Sequence, residues 1–181
     1  MVATKLFTAE ELKAMGEDVR NELVRGELRP MSPIQDPHGR LLFRVGTPLD
    51  LHLERTGLGY VTGGEIGIIL ERDPDTVLAA DLAVVLDGRR PLAETEQGYL
   101  TRLPALVVEI ASPSDGRTEL RAKAKRYLDA GVENVWLVEY RTRTVSWIAT
   151  DRNERVYKVG DVLDGGDLIP GFLLAVADVF R

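Results

Sequence analysis

ALVVEIASPSD, from Ala105 to Asp115, and GVENVWLVEY, from Gly131 to Tyr140, bracket the stretch on which the fold of this chain turns. From Ala105 to Ala111 the run is apolar except for Glu109, the pattern of a central strand covered on both faces. An ionised carboxylate in such a place costs several kcal/mol unless a cation or hydrogen-bond donors compensate it. Glu109 therefore points to a bound metal, a basic partner or a position at the open end of the strand. The intervening SPSDGRTELRAKAKRYLDAG predicts a helix with Thr118 as N-cap and Gly131 as its stop. At 100° per residue Leu120, Ala124, Tyr127 and Leu128 share one apolar face; Lys123 falls beside Tyr127 on its inward edge, and Lys125 points away. A second strand, Val135 to Tyr140, closes a βαβ unit, whose crossover is expected to be right-handed. That unit brings Lys123 over the strand end carrying Glu109.

A third partner lies upstream in VLAADLAVVL, an apolar run whose single acid is Asp81. The spacing leaves room for a return to a neighbouring strand. Two carboxylates on adjacent strands, with a lysine nearby, make an oxygen-donor site of the kind that Mg²⁺ or Mn²⁺ prefers. The lysine could orient or deprotonate a water, and the set is equipped for metal-assisted phosphodiester hydrolysis. The alternative is a structural pair of acids, one bonding backbone N–H groups and the other paired with Lys123. Such a buried pair contributes little net stability, which favours the site reading.

In NELVRGELRPMSP, His38, ADLAVV around Asp81, VVEIASPSD around Glu109 and KAKRYLDAGVENVWLVE from Lys123, the chain resembles the Uma2 or DUF820 family, a bacterial branch of the PD-(D/E)XK nuclease superfamily. The proline usual before the first acid is replaced by Ala80, and the lysine usual two residues after the second acid by Ala111. Lys123, on the following helix, matches the position to which that lysine has moved in this branch. The resemblance implies an α/β fold with a restriction-endonuclease-like core, a mixed central sheet flanked by helices, over a single domain, residues 1–181. It implies an endonuclease acting on nucleic acid, DNA foremost, and dependent on Mg²⁺, with Mn²⁺ able to substitute. Asp81 and Glu109 would hold the metal, the Ile110 carbonyl would add an oxygen, and Lys123 would activate or position the attacking water. Glu27 is implied as an auxiliary acid, against the plainer reading of a solvent-facing strand residue. A homodimer is also implied.

Working outward, Thr8 and Glu11 form a capping box, so a short helix is expected to run to Met15, with Gly16 ending it. NELVRGELRPM alternates around Gly26 as a hairpin. Asp36-Pro37 reads as an N-cap and first-turn proline opening a helix with Leu41, Leu42, Val45, Leu49 and Leu53 on its apolar positions, kinked at Pro48 and stopping near Gly57. His38 falls in its first turn, where a histidine could touch a phosphate or a water beside the metal, although exposure is the commoner outcome; His52 reads as structural or exposed. GYVTGGEIGIILE and TVLAADLAVVL are strands about an Asp73-Pro74-Asp75 turn. Gly63 and Gly64 lack the helix start and GK[ST] of a phosphate loop, and Glu65 is a weaker acid candidate than Asp81. DGRRPLAETEQGYLTR is polar, an exposed loop or lid. RTRT joins two strands, ERVYKVGDVL adds another, and LIPGFLLAVADVF ends in a short helix; Trp136 and Trp147 read as core or interface.

The 181 residues suffice for a sizeable core and carry no cysteine, hence neither disulfides nor thiolate metal sites. The opening MVATKLFTAEEL has no signal-peptide pattern and no apolar span long enough for a membrane, so a cytoplasmic location is expected. The formal charge of −6 has the wrong sign for a broad nucleic-acid footprint. Local tracks remain: Arg117, Arg121, Lys123, Lys125 and Arg126 on one helix, Arg40 and Arg44 on another, with a solvated face the plainer reading for all but Lys123. The acidic balance keeps a second function in view, a non-catalytic binding or assembly module on a nuclease-like fold.

Overall fold

The computed structural model describes residues 5–16, 19–33, 35–88, 98–100, 102–111 and 116–181. Their elements are α1 (Ala9–Ala14), β1 (Asn21–Val24), β2 (Glu27–Pro30), α2 (Asp36–Thr56), β3 (Tyr60–Glu71), β4 (Thr76–Val85), β5 (Leu106–Ile110), α3 (Arg117–Ala130), β6 (Asn134–Glu139), β7 (Thr144–Ala149), β8 (Glu154–Lys158), β9 (Val162–Asp164), β10 (Leu173–Ala175) and α4 (Val176–Val179). Eight strands form one sheet in the order β2-β1-β4-β5-β6-β7-β8, with β3 also paired to β4. Among the described strands only β5 and β6, joined through α3, run parallel in it; the other strand pairings are antiparallel. The expected mixed α/β sheet flanked by helices is thus what the chain forms. No helix among the described residues is long and apolar enough to cross a membrane.

Strand alternation divides the interior. On β5, Leu106, Val108 and Ile110 join Leu41, Val45 and Leu49 of α2, Trp136 of β6 and the C-terminal Phe172 and Val176. Val107 faces the other way, toward Leu120, Ala124, Tyr127 and Leu128 of α3. Each face removes large aliphatic side chains from water, at about 1.5–3 kcal/mol per fully buried Val, Leu, Ile or Phe. Trp136 is fully buried and packs against Trp147, with ring centres 5.3 Å apart, as expected for a core residue.

Local signals hold in several places. Thr8 and Glu11 make the capping box of α1. The β1–β2 turn is Arg25-Gly26 with φ of 51° and 80°, the doubly left-handed geometry of a two-residue hairpin. A Cβ at Gly26 would lie 2.7 Å from the Leu6 Cβ, so glycine is required there on two counts. Other boundaries shift. Gly116, not Thr118, is the N-cap of α3, and Gln35, not Asp36, that of α2; neither makes a side-chain cap, so the hydroxyl and carboxylate preferences on which those expectations rested are not exercised. Helix α2 passes through Pro48 to Thr56 before Gly57 ends it. The expected lid falls largely on residues 89–97 and 101, outside the described residues.

Candidate active site

One edge of β4 is paired to β3 along its length. The other edge is shared: β1 meets it at Val77, and β5 pairs with it only from Leu82 to Val84. Between these contacts the sheet opens, and side chains take over from strand backbone. The Ala79 N–H donates to Glu22 Oε1 at 3.0 Å, and the Ala79 carbonyl accepts from Lys123 Nζ at 2.8 Å. At the other lip of the gap the Ile110 N–H donates to Asp81 Oδ2 at 2.6 Å, extending the β4–β5 ladder through a side chain. Buried backbone groups must find partners somewhere. Here the gap recruits polar side chains into an apolar sheet.

The gap collects a connected network. Lys123 Nζ lies 2.8 Å from Glu22 Oε1 and 3.0 Å from Glu109 Oε2, so with Ala79 all three ammonium hydrogens are committed. Tyr127 donates its hydroxyl to Glu109 Oε1 at 2.8 Å. His38 Nε2 reaches Asp81 Oδ1 at 3.0 Å from the first turn of α2. Asp81 and Glu109 are only 6% and 4% exposed, which makes their charges expensive.

Electrostatics follow from that burial. Burial pushes the Glu109 carboxyl up, and the Asp81 and Glu22 charges push it further, to about 8 in spite of Lys123. For Lys123, burial opposes the charged form, but the carboxylates of Glu109 and Glu22 outweigh it and hold the ammonium above the ordinary lysine range. Burial and the neighbouring Glu109 likewise keep the Tyr127 hydroxyl protonated well beyond its usual range. With three acids against one lysine, the cluster carries more negative than positive charge when its carboxylates ionise.

The Tyr127→Phe variant removes one donor from a buried carboxylate at nearly constant volume. Above about pH 8, where Glu109 is ionised, it is expected to lower stability by about 1.5–3 kcal/mol, the range for hydrogen bonds to charged groups, as measured by denaturant unfolding. An unchanged midpoint would show that Glu109 does not depend on this contact.

Of the residues expected at a site, the fold brings Asp81, Glu109 and Lys123 together. The Ile110 backbone belongs to the cluster through its N–H. Glu27 does not reach it: its carboxylate is more than half exposed and pairs with Arg29 at 2.7 Å. The glutamate that this hairpin delivers is Glu22. In register Glu22 opposes Arg29 and Val24 opposes Glu27, so strand alternation places both acids on one face. Depth along the hairpin separates them, and alternation carries no information about depth. Glu65 is also elsewhere, paired to Arg20.

His38 corrects the expectation of an exposed first-turn histidine, being 6% exposed. Its signal was available: His38, Leu41, Val45, Leu49 and His52 follow one stripe at helical spacing, all buried. His52 on the same stripe is structural, with Nε2 3.0 Å from the Pro170 carbonyl.

A cation site can be tested against this donor set. Asp81, Glu109 and Glu22 are hard oxygen donors in excess of local positive charge, which suits a divalent cation. Among the described residues no three His, Asp or Glu side chains form a ready-made cage. Mg²⁺ rarely uses one, binding through one or two carboxylates, waters and substrate phosphate oxygens. In donor chemistry the residues fit.

The model of the Uma2 family, described as "Putative restriction endonuclease", matches residues 8–177. The fold is similar to that in a crystal structure described as "a putative nuclease belonging to DUF820" from Anabaena variabilis, at 16% identity, a TM-score of 0.82 and coverage of 96% of this chain and 97% of that one. No protein of curated function matches the chain.

Proposed function

The chain belongs to the Uma2 family, and from that premise we propose that it is a nuclease that hydrolyses phosphodiester bonds, DNA foremost, with Mg²⁺ as its metal and Mn²⁺ able to substitute. The observation that carries this reading is the convergence of Asp81, Glu109 and Lys123 where the sheet opens beside β4. Asp81 and Glu109 are the residues that would hold the metal, with the Ile110 carbonyl as a further oxygen. When bound, the cation would polarise the phosphate and stabilise the charge that develops on it. Lys123 orients water or a phosphate oxygen through an ammonium hydrogen released from one of its present acceptors. Its raised proton affinity favours this role over that of a base. Glu22 holds Lys123 over the gap, and His38 fixes the orientation of the Asp81 carboxylate.

One observation favours a second reading, a binding or assembly module: each of these side chains already has an internal partner, so the network closes without a ligand. Calorimetric titration of Mn²⁺ and Mg²⁺ separates the two. The nuclease reading expects saturable binding by the wild type, lost in Asp81→Asn and in Glu109→Gln. Because Glu109 must ionise to bind a cation and is held up to about 8, apparent affinity is expected to rise with pH, by up to about tenfold per unit, and to level off above that value. Absence of wild-type binding over this range, together with intact cellular or binding function in Glu109→Gln, would transfer the assignment to the module.

A further inference from the structure

The cations of α3 are largely spent. Arg121 makes a two-point pair with Glu154 at 2.8 and 2.6 Å, Lys125 pairs with Asp129 at 2.5 Å, and Arg117 lies 3.5 Å from Glu139. The start of α2 is different. Arg40 and Arg44, with Arg143 from the β6–β7 turn and Arg181, line a groove of about 240 Å³ floored by Tyr140 and Phe180. Among the described residues no acidic side chain lines it, in a chain whose formal charge is −6.

What these arginines touch leaves their charge available. Arg44 donates to the Asp178 carbonyl at 3.3 Å and Arg143 to the Phe180 carbonyl at 3.2 Å. A carbonyl orients a guanidinium without neutralising it, and each guanidinium has five N–H donors. Arg40 has no ion pair among the described residues, and only Arg181 has a carboxylate, Asp178 at 3.3 Å. The groove also adjoins the candidate active site. Pro37 and Leu41 line it, and His38 between them reaches Asp81. Tyr140 follows β6, whose Val138 carbonyl accepts from Ala111, next to Ile110.

We propose that this groove binds the phosphodiester backbone of the nucleic-acid strand cut at the neighbouring site, an inference that rests on the nuclease reading. The guanidinium forks match phosphate oxygens, and the two aromatic rings give a sugar or base an apolar floor. The groove reads backbone charge, so it positions the strand without selecting its sequence.

The test is fluorescence anisotropy with labelled duplex DNA, single-stranded DNA and RNA over a salt series, with Ca²⁺ replacing Mg²⁺. It compares the wild type with the double variants Arg40→Gln/Arg143→Gln and Arg40→Lys/Arg143→Lys. The glutamine pair is expected to weaken binding at least tenfold at low salt and to reduce the slope of log affinity against log salt by about 1.5–2, from two lost phosphate contacts. The lysine pair, keeping the charge, is expected to hold the wild-type slope. A glutamine pair with wild-type affinity and slope overturns the groove while leaving the nuclease reading intact. Wild-type protein that binds none of the probes, and cleaves none with Mg²⁺ or Mn²⁺, overturns both.

Discussion

The Asp81→Asn and Glu109→Gln variants are each expected to lower metal-dependent cleavage of nucleic acid by at least about 10²–10³-fold, the loss found when one group that stabilises transition-state charge is removed. Both exchanges keep side-chain volume and an oxygen acceptor. The Ile110 N–H can still donate at position 81, and the Tyr127 hydroxyl at position 109. Each removes a negative charge from a nearly dry site, and with it the attraction for a divalent cation. Measurement is by initial cleavage rates over a panel of DNA and RNA substrates in Mg²⁺ and Mn²⁺, with thermal unfolding as control. Neutralising Glu109 also relieves its burial cost, so that variant is expected to remain folded. Wild-type-like cleavage by either variant would remove that residue from the chemistry. No cleavage by the wild type on any substrate would count heavily against the nuclease assignment.

The second large effect is on the fold. Lys123→Met leaves Glu22 and Glu109 without their shared cation and the Ala79 carbonyl without its donor, while filling similar volume. Breaking a buried pair from one side costs about 3–5 kcal/mol, and in a chain of this length that corresponds to a melting shift of about 6–20 °C. The pH dependence has a definite sign. Without the Lys123 charge beside it, the Glu109 carboxyl is raised further above its ordinary value of 4.5. A group with a raised folded pKa contributes stability that is present below its unfolded pKa and lost as pH rises through the folded one. Below about pH 8 the Glu109 carboxyl is protonated in both folded proteins, so the defect is expected to change little there and to deepen as pH rises above that value, where the wild type ionises Glu109 beside Lys123 and the variant does not. Adding Glu109→Gln to Lys123→Met is expected to recover part of the loss, as read by denaturant midpoints at several pH values. A Lys123→Met protein as stable as the wild type at pH 8 would mean that water, not Lys123, balances the two glutamates.

Much of the candidate site could be reached from local pattern, because each of its central members breaks one. Glu109 is the only charged residue in the run that becomes β5, Asp81 the only one in the apolar run within β4, and Lys123 sits at the inward edge of an amphipathic face. A charge at a buried position is expensive wherever the strand lies, so its presence is informative before any partner is known. The βαβ unit was legible from pattern too: a strand apolar but for Glu109, a helix ended by Gly131 and a second largely apolar strand admit few arrangements.

What stayed hidden depended on distances between elements that sequence pattern does not encode. Thr118 and Asp36 are good capping residues, yet Gly116 and Gln35 hold those positions, because tertiary packing sets where a helix begins as strongly as a cap worth about 1 kcal/mol. Glu22 and Glu27 share a strand face, and only the docking of the hairpin against β4 at Leu23 and Val77 carries Glu22 to Lys123 and leaves Glu27 in solvent. His38 lies on the buried stripe of α2, but its meeting with Asp81 exists only because the sheet opens between β1 and β5. By itself the sequence determined the βαβ unit and the residues whose burial had to be compensated, since periodicity and the cost of buried charge act within one element. Only the tertiary structure decided which groups compensate them, because a hydrogen bond or ion pair between distant strands and helices forms within about 3 Å or not at all.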